Sequence, residues 1–361
     1  MTDTSVATGL RVQEWDDKFF TEYIQHNLFK SDMGTDENSI IHVKENLTRK
    51  KGDSITFALV NRLTGAGVTG SSTLEGNAED MGSRSHKVTV DKIRNGVRVP
   101  EVDEQFSAIS LRDAARTTLK NWAMEETRDR VISALGSING VAYGSASEAQ
   151  KDAWLVDNTD RVIFGDALGN GAGTDHSADL ATVTAGMTFN TSIAGLMKRV
   201  ALTANPKIKP IRVDEAGGKR FFKVYCDPRT FRDLKADSVI QNAQRDVSLR
   251  MQNVKLFEGG DLEWDGMIFK EVDDIASLGG VGAASAAVSP VYLVGAQALG
   301  LGWAKRWRSI TEVFDYGDKH GVAIDAIYGL EKLTFGTGAG DTDDLKDHGV
   351  VTAYVGAAAD A

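Results

Sequence analysis

Cysteine is almost absent from the 361-residue sequence, in which Cys226 stands alone. A single cysteine excludes an internal disulfide, and with it a small secreted domain held together by disulfides. Cys226 ends the run 221–226, which predicts a buried strand whose thiol packs in the core. The N-terminus also lacks a basic segment followed by an apolar run, so we expect no signal peptide and a chain suited to the reducing cytosol.

A basic excess is missing as well. The formal net charge is −10, whereas a protein that holds nucleic acid through its phosphates carries a surplus of Lys and Arg. Two short basic clusters, at 49–51 and 305–308, are typical of solvated turns. The composition therefore gives no support for a strong nucleic-acid interface.

No continuous apolar stretch has the length of a membrane span. Residues 276–304 contain no charged residue, but Pro290, Gln297 and several glycines interrupt them. A spanning helix needs about 20 continuous apolar residues. We interpret the stretch as turns and loop around a short buried strand at 291–294, and we expect no membrane partner.

Local motifs for chemistry are missing too. There is no P-loop, the glycine cluster at 169–173 has the wrong spacing for a dinucleotide fingerprint, and no Gly-x-Ser-x-Gly elbow occurs. The six histidines are scattered, and we interpret Asp175-His176 as solvated polar sequence in a glycine-rich loop. We predict no catalytic residue, no cofactor and no metal.

An amphipathic segment with an aromatic face stands near the N-terminus. Trp15, Phe19, Phe20 and Tyr23 repeat there at helical spacing. This face could pack on the core of its own subunit or cross onto a neighbouring subunit, and the sequence leaves both readings open.

Residues 54–95 form a unit of strand, glycine-rich excursion and returning strand. Apolar and polar residues alternate after Ser54, and Val88 and Ile93 mark the return. The excursion contains five glycines: Gly65, Gly67, Gly70, Gly76 and Gly82. It is either a surface loop or a long hairpin that leaves the body and lies on a neighbour, burying its surface only on assembly.

A long helix is predicted over 111–137. Ser110 and Asp113 form a variant of the capping box, and an apolar stripe begins at Leu111. A helix of this length runs about 40 Å and usually serves as the backbone of a fold.

The rest of the chain predicts a second lobe. Residues 140–187 are rich in Gly, Ala, Asp and Asn and predict weak secondary structure, and a helix is expected over 191–203. Strands and helices then alternate, and we expect the chain to fray into a tail from Phe335 onward. The overall prediction is an α+β fold with two lobes.

Short turn and packing motifs follow one another in a fixed order over roughly residues 10–337: Gly52-Asp53-Ser54-Ile55-Thr56-Phe57, Leu74-Glu75-Gly76, Tyr225-Cys226-Asp227-Pro228, Leu234-Lys235, Asn253 through Asp265-Gly266, Gly295-Ala296-Gln297-Ala298-Leu299, Asp315-Tyr316-Gly317, and Gly329 with Lys332 and Phe335. In this order they resemble the major capsid proteins of tailed bacteriophages with the Hong-Kong-97-type fold. The resemblance is closer to the branch related to the capsid protein of a podovirus of enterobacteria. It rests on the order of the motifs, since each one alone is a turn or packing feature.

The resemblance implies a division of the chain into an N-terminal arm (1–53), an extended E-loop hairpin (54–95), a P-domain with its spine helix at about 110–137 and an insertion (96–189), an A-domain (190–315), and a return to the P-domain with a C-terminal tail (316–361). It also implies homo-hexamers and homo-pentamers in an icosahedral shell around double-stranded DNA, assembled in the host bacterial cytoplasm. Expected partners are a portal protein and separate scaffolding and decoration proteins. The candidate inter-subunit contacts are Trp15, Phe19, Phe20, Tyr23, Gly70, Leu74, Glu75 and Gly76.

Two departures from the family pattern matter. Residues 64–86 contain no Lys, so a Lys–Asn cross-link from the E-loop is not expected by the same route. Only about fifty residues precede the hairpin, so scaffolding would come from a separate protein. The alternatives are an encapsulin-like compartment, a cytosolic enzyme whose site is assembled from distant residues, and a tail-tube subunit.

Overall fold

The computed structural model describes residues 29–45, 52–60, 63, 67–70, 73–76, 78, 82–107, 110–213, 218–250, 257–258, 261–338 and 340–357. The aromatic N-terminal segment with Trp15, Phe19, Phe20 and Tyr23 lies outside these residues. The α-helices are α1 Glu101–Phe106, α2 Leu111–Leu135, α3 Glu148–Asp157, α4 His176–Leu180, α5 Thr191–Thr203, α6 Pro228–Ala236 and α7 Ser238–Arg250. None of the helices in these ranges is long and apolar enough to cross a membrane.

The strands, in chain order, are β1 Met33–Gly34, β2 Ile41–Lys44, β3 Ser54–Val60, β4 Ser83–Thr89, β5 Asp91–Pro100, β6 Val162–Phe164, β7 Ile211–Val213, β8 Lys219–Cys226, β9 Phe257–Glu258, β10 Asp261–Trp264, β11 Met267–Glu271, β12 Val288–Val294, β13 Leu299–Phe314, β14 Lys319–Lys332, β15 Thr334–Gly336, β16 Leu345–Asp347 and β17 Val350–Gly356. They form two large sheets and two small two-stranded ones. The mixture of helices and sheets confirms the α+β prediction.

The five-stranded sheet has the order β1-β2-β13-β14-β5. Its centre is the long antiparallel pair β13 and β14, which runs from Leu299 opposite Lys332 to Phe314 opposite Lys319. Strand β5 extends this pair on one side, antiparallel to β14, and β2 lies parallel to β13 on the other. The three long strands β13, β14 and β5 form a ribbon, a name that we keep below.

The helix α2 packs on this sheet. Its Ser110 N-cap accepts a hydrogen bond from the backbone N–H of Asp113, and the helix ends at Leu135, two residues before the predicted limit. One face carries small and apolar residues at helical spacing, and these are buried in the same cluster as Trp307 and Tyr328 of the ribbon. The predicted long helix is confirmed.

The eight-stranded sheet forms the second layer of structure, with the path β6-β17-β12-β8-β11-β10-β9 and β7 beside β8. Helix α5 packs against β17, and α6 packs against β8 and β11. The thiol of Cys226 is fully buried in this core, as predicted, and burial raises the pKa of the thiol well above its usual value. A buried thiol of that kind is unreactive.

The prediction that the chain frays from Phe335 onward is wrong. Strand β17 pairs with β12 over all seven of its residues and with β6 on its other side, and every residue in it is buried. A short continuous apolar run is typical of a strand that is covered on both faces. The glycines and aspartates of 336–349 belong to the connection before this strand.

The prediction of weak secondary structure over 140–187 is also wrong. The region contains α3, β6 and α4, and α3 begins with a capping box between Ser147 and Gln150. The side chain of His176 is 1% exposed, which corrects the interpretation of this residue as solvated. It lies against four aromatic rings: Tyr143, Trp154, Phe164 and Tyr354.

Candidate assembly surfaces

Strands β3 and β4 form a hairpin that belongs to neither large sheet. They pair from Ser54 opposite Thr89 to Val60 opposite Ser83. An isolated two-stranded hairpin is marginally stable in water. The hairpin therefore depends on whatever covers its faces.

The base of the hairpin is covered by its own chain. Ile55, Phe57 and Val88 are buried in one cluster with Leu333 and Phe335. The floor of this contact contains glycines of β13, and a Cβ at Gly302 would lie 2.8 Å from Ile55 Cδ1. Because these glycines have no side chain, the hairpin can approach the sheet closely.

Polar contacts fix the other end of the paired strands, next to the excursion. Arg84 Nη2 donates to the Gly338 carbonyl at 2.8 Å, and Ser85 Oγ donates to Asp341 Oδ2 at 2.8 Å. The Nδ1 atom of His86 lies 3.0 Å from the carbonyl oxygen of Thr334. These partners are about 250 positions apart in the sequence, so sequence patterns did not reveal them. We call these contacts the hairpin anchor: Arg84, Ser85 and His86 with Thr334, Gly338 and Asp341.

The predicted contact residues of the excursion lie beyond the paired strands. Gly70, Leu74, Glu75 and Gly76 are all exposed, and Leu74 is 66% exposed. Gly70 and Gly76 have φ angles of 69° and 81°, in the left-handed region that favours glycine. Within the part of the chain that the structure describes, no hydrogen bond or ion pair involves any of the four. We call this region the hairpin tip.

A second exposed apolar surface lies where the ribbon ends. Tyr316, in the turn between β13 and β14, is fully exposed, and Val313 is 57% exposed. The backbone N–H of Glu101 donates to the Asp318 carbonyl at 2.8 Å, which places α1 with its exposed Phe106 near this turn. The sequence analysis missed this surface, although the apolar residues alternate along Val322, Ile324 and Ala326 in a way that indicates a strand.

A shallow groove crosses the ribbon on the face away from α2. Its volume is about 280 Å³, and its lining contains Gly96, Gly321 and Ala323 between Ile310 and the ring of Phe314. The guanidinium of Arg98 lies 4.5 Å from the centre of the Phe314 ring. The groove is open, its floor is apolar, and Arg98 and Glu312 are the charged residues of its lining.

The buried charges lie elsewhere, at the junction of β14, β16 and α3. Lys332 Nζ lies 2.7 Å from Asp347 Oδ2, and both side chains are 1% exposed. Trp154 Nε1 donates to Asp347 Oδ2 at 3.2 Å, and the fully buried Arg161 donates to the Asp347 carbonyl. Lys332 and Asp347 neutralise one another, and the guanidinium of Arg161 is paired with Asp160 at 3.1 Å. They join the segment before β17 to α3 and do not form an accessible site.

Comparison with known proteins identifies the family. A family model described as phage capsid protein matches residues 3–359. The chain belongs to the phage capsid protein family. It is also 27% identical, over 99% of its length and 98% of the relative's, to the major capsid protein of Pseudomonas phage KPP25.

Solved structures agree with this family. The chain is similar to the structure described as the Cyanophage Pam1 capsid asymmetric unit, with a TM-score of 0.82, 33% identity and full coverage of both chains. It shares its fold with the capsid of Ralstonia phage GP4, with a TM-score of 0.74, 20% identity and coverage of 93% and 92%. The family confirms the prediction of a structural capsid subunit and not an enzyme, and it does not favour the encapsulin-like alternative.

Proposed function

We propose that this phage capsid protein assembles through its hairpin as hexamers and pentamers, which close into an icosahedral shell around double-stranded DNA. The observation that carries the proposal is the contrast within the hairpin: the base is anchored to its own chain and the tip is exposed. An exposed tip that carries Leu74 beyond fixed strands is suited to reach a neighbouring copy. Closed shells require such heterologous contacts, in which one surface fits a different surface of the next subunit.

We propose the hairpin as the E-loop and α2 as the spine helix of a P-domain in a Hong-Kong-97-type fold. The eight-stranded sheet with α5 and α6 would form the body of the A-domain. Strand β13 pairs with β14 in the sheet of α2, so in this assignment the return to the P-domain begins near Leu299 rather than near residue 316. Strand β17, in turn, lies in the sheet that we propose for the A-domain.

The groove on the ribbon is the proposed seat for the hairpin tip of a neighbouring subunit. Its floor of small residues admits an extended chain, and its apolar walls match Leu74. The exposed end of the ribbon at Tyr316 would supply a further contact between subunits. The aromatic segment with Trp15, Phe19, Phe20 and Tyr23 stays a predicted contact.

The proposed shell encloses its genome without holding it by sequence-specific contacts. A net charge of −10 opposes strong binding to phosphates. We therefore expect DNA to stay inside filled shells at high salt, because confinement does not depend on counterion release. Portal, scaffolding and decoration proteins, and assembly in the host bacterial cytoplasm, are further parts of the proposal.

Negative-stain electron microscopy with light scattering tests the proposal on the purified chain, expressed with and without the other head proteins of its phage. Closed shells, or rings of five or six subunits, are the expected result. A chain that stays monomeric in both cases would contradict it.

The role of the tip is tested by Leu74→Asp. We expect this variant to fold but to form shells at a much lower yield, because the apolar side chain that would pack on the groove floor is replaced by a charged one. Leu168→Asp, at an exposed leucine outside the hairpin, is the matched control and should assemble normally. Equal assembly of both variants would contradict the role of the tip.

A further inference from the structure

The face of the ribbon that points away from α2 is basic. Ile93 of β5 is buried in the same cluster as Trp307, and side chains alternate along a strand, so the even-numbered residues of β5 lie on the other face. The pairing register places them in four rows across β5, β14 and β13: Lys92, Ile327 and Lys305; Arg94, Asp325 and Arg308; Gly96, Ala323 and Ile310; Arg98, Gly321 and Glu312. These rows contain five basic side chains and two carboxylates, in a chain whose net charge is −10. The basic cluster at 305–308 therefore lies in a strand, which corrects its interpretation as a solvated turn.

Four of these basic side chains surround one buried carboxylate. The guanidinium of Arg308 donates to both oxygens of Asp325, with Nη2 3.1 Å from Oδ2. Lys92 Nζ lies 3.7 Å from the same Oδ2, and Arg94 stands directly opposite Asp325 in the register. Burial opposes the ionisation of Asp325, but the hydrogen bonds from Arg308 and the positive charges around it, that of Lys305 included, lower its pKa. One carboxylate does not neutralise four cations. We call Lys92, Arg94, Lys305 and Arg308 the basic quartet.

The excursion of the hairpin has the opposite charge. Residues 64–83 contain three acidic residues, Glu75, Glu79 and Asp80, and no Lys or Arg. Glu75 is exposed and follows Leu74 in the hairpin tip. A neighbouring hairpin that places Leu74 in the groove of the ribbon therefore brings negative charge to the basic face.

We propose that the basic quartet receives the Glu75 carboxylate of a neighbouring copy of this chain, and thereby fixes where the hairpin tip lies on the ribbon. The inference rests on the proposed function, in which the tip of one subunit occupies the groove of the next. It adds that charge selects the contact together with the apolar fit of Leu74. Opposite charges across an interface fix its register and exclude wrong partners.

The rows of the ribbon determine which arginine meets the incoming carboxylate. Successive rows lie about 7 Å apart, because each is two residues further along the strands. The proposed seat of Leu74 is the row of small residues that contains Gly96, and the rows on its two sides contain Arg94 and Arg98. Glu312 shares the row of Arg98, whereas the row of Arg94 adjoins a row with two lysines. The stronger attraction for a carboxylate is therefore at Arg94.

Charge reversal with rescue tests the pairing, under the conditions in which the wild type forms shells. Glu75→Arg brings a like charge to the basic quartet and should raise the protein concentration needed for assembly by about tenfold. The double variant Glu75→Arg/Arg94→Glu restores opposite charges and should return this concentration to within about threefold of the wild type. Glu263→Arg, at an exposed glutamate of β10, is the matched control and should assemble as the wild type does. Light scattering measures the concentration, and electron microscopy identifies the shells.

A neutral variant keeps the test independent of the fold of the double variant. Arg94→Glu faces Asp325, so urea unfolding checks that the double variant is folded, and Arg94→Gln removes the charge without adding a like one. Salt screens charges at a surface, so an increase from about 50 mM to about 500 mM should weaken assembly of the wild type more than that of Arg94→Gln. Equal salt dependence of the two, or a folded double variant that assembles no better than Glu75→Arg, would overturn the pairing.

Leu74→Asp separates this inference from the proposed function. If Leu74→Asp assembles poorly and Glu75→Arg assembles normally, the tip docks without the charge pair and only the inference is overturned. If both assemble normally, the hairpin tip has no role in assembly and the proposed function fails with it. Normal assembly of Arg94→Gln combined with loss of DNA from its filled shells would assign the basic face to the genome and would also overturn the inference.

Discussion

Strands β4 and β17 have the same length of seven residues and opposite environments. All seven residues of β17 are buried, and strands lie on both of its sides. In β4 only Val88 is buried, and β3 is its one strand partner among the described residues. Strand β17 receives all of its contacts within its own chain. Strand β4 leaves most of its surface for contacts with other molecules.

The difference in burial between β17 and β4 indicates which part of the molecule maintains the fold and which part is available for assembly. A strand with both faces and both edges satisfied contributes to the stability of its own subunit and has nothing left to bind. A hairpin with an exposed face gains its remaining burial only from a neighbour. Substitutions in the two regions should therefore separate stability from assembly.

The largest expected effect comes from a charge in β17. Val355→Asp places a carboxylate at a fully buried position and should lower the free energy of unfolding by more than about 4 kcal/mol, because the charge has no partner there. Urea unfolding followed by circular dichroism measures it. Lys87→Asp, at an exposed position of β4, should lower the free energy of unfolding by less than about 1 kcal/mol. Similar losses in both variants would contradict the difference between β17 and β4.

The buried ion pair just before β17 ranks next. Lys332→Met leaves the Asp347 carboxylate buried without its partner and should destabilise the fold by about 3–5 kcal/mol. The double variant Lys332→Met/Asp347→Asn removes both charges and keeps an acceptor for Trp154, so it should recover much of the loss. A double variant no more stable than the single one in chemical unfolding would show that the pair is not the cause.

A smaller effect concerns pH. Burial, with the positive charges of Arg161 and Lys209, lowers the pKa of His348 to about 4. The unfolded chain then binds more protons than the folded one between pH 6.5 and 4. The stabilising contribution is complete above pH 6.5 and is lost as the pH falls toward 4, by on the order of 3 kcal/mol.

His348→Phe should flatten this pH dependence, because a phenyl ring fills the same place beside Phe335 without a titrating group. The urea midpoints of the wild type and the variant are measured at pH 4.5 and at pH 7.5. The two midpoints should lie closer together at pH 7.5 than at pH 4.5. An unchanged slope in the variant would assign the acid sensitivity to other groups.

The hairpin anchor should have a local effect only. Asp341→Ala removes both contacts to Ser85 and should cost about 1 kcal/mol, which is about fivefold in the local opening equilibrium. Hydrogen exchange should become faster at the amides of β3 and β4 and stay unchanged in β17. Equal acceleration in β17 would mean that the anchor supports the whole fold.

The smallest effect is expected at the hairpin tip. Leu74 is exposed, so Leu74→Asp should change the free energy of unfolding of the unassembled chain by less than about 0.5 kcal/mol. Chemical unfolding at a concentration below assembly is the measurement. A large loss would show that Leu74 already has contacts within its own subunit.

Local sequence patterns predicted the elements that carry their signal in a few neighbouring residues. The cap at Ser110, the stripe along α2 and the strand ending at Cys226 are of this kind. Patterns did not predict β17, because an apolar run after a glycine- and aspartate-rich stretch has no period that distinguishes a central strand from a tail. The hairpin anchor and the aromatic rings around His176 depend on contacts between distant residues, and these have no local signal.

The position of β17 has a consequence for how the subunit is made. Among the described strands β17 is the last in sequence, yet it fills the place between β6 and β12. Until β17 pairs, the eight-stranded sheet has a gap in it, and β6 has no other strand beside it among the described residues. The sheet therefore closes only when segments about 190 positions apart come together, and pairing of that kind forms slowly.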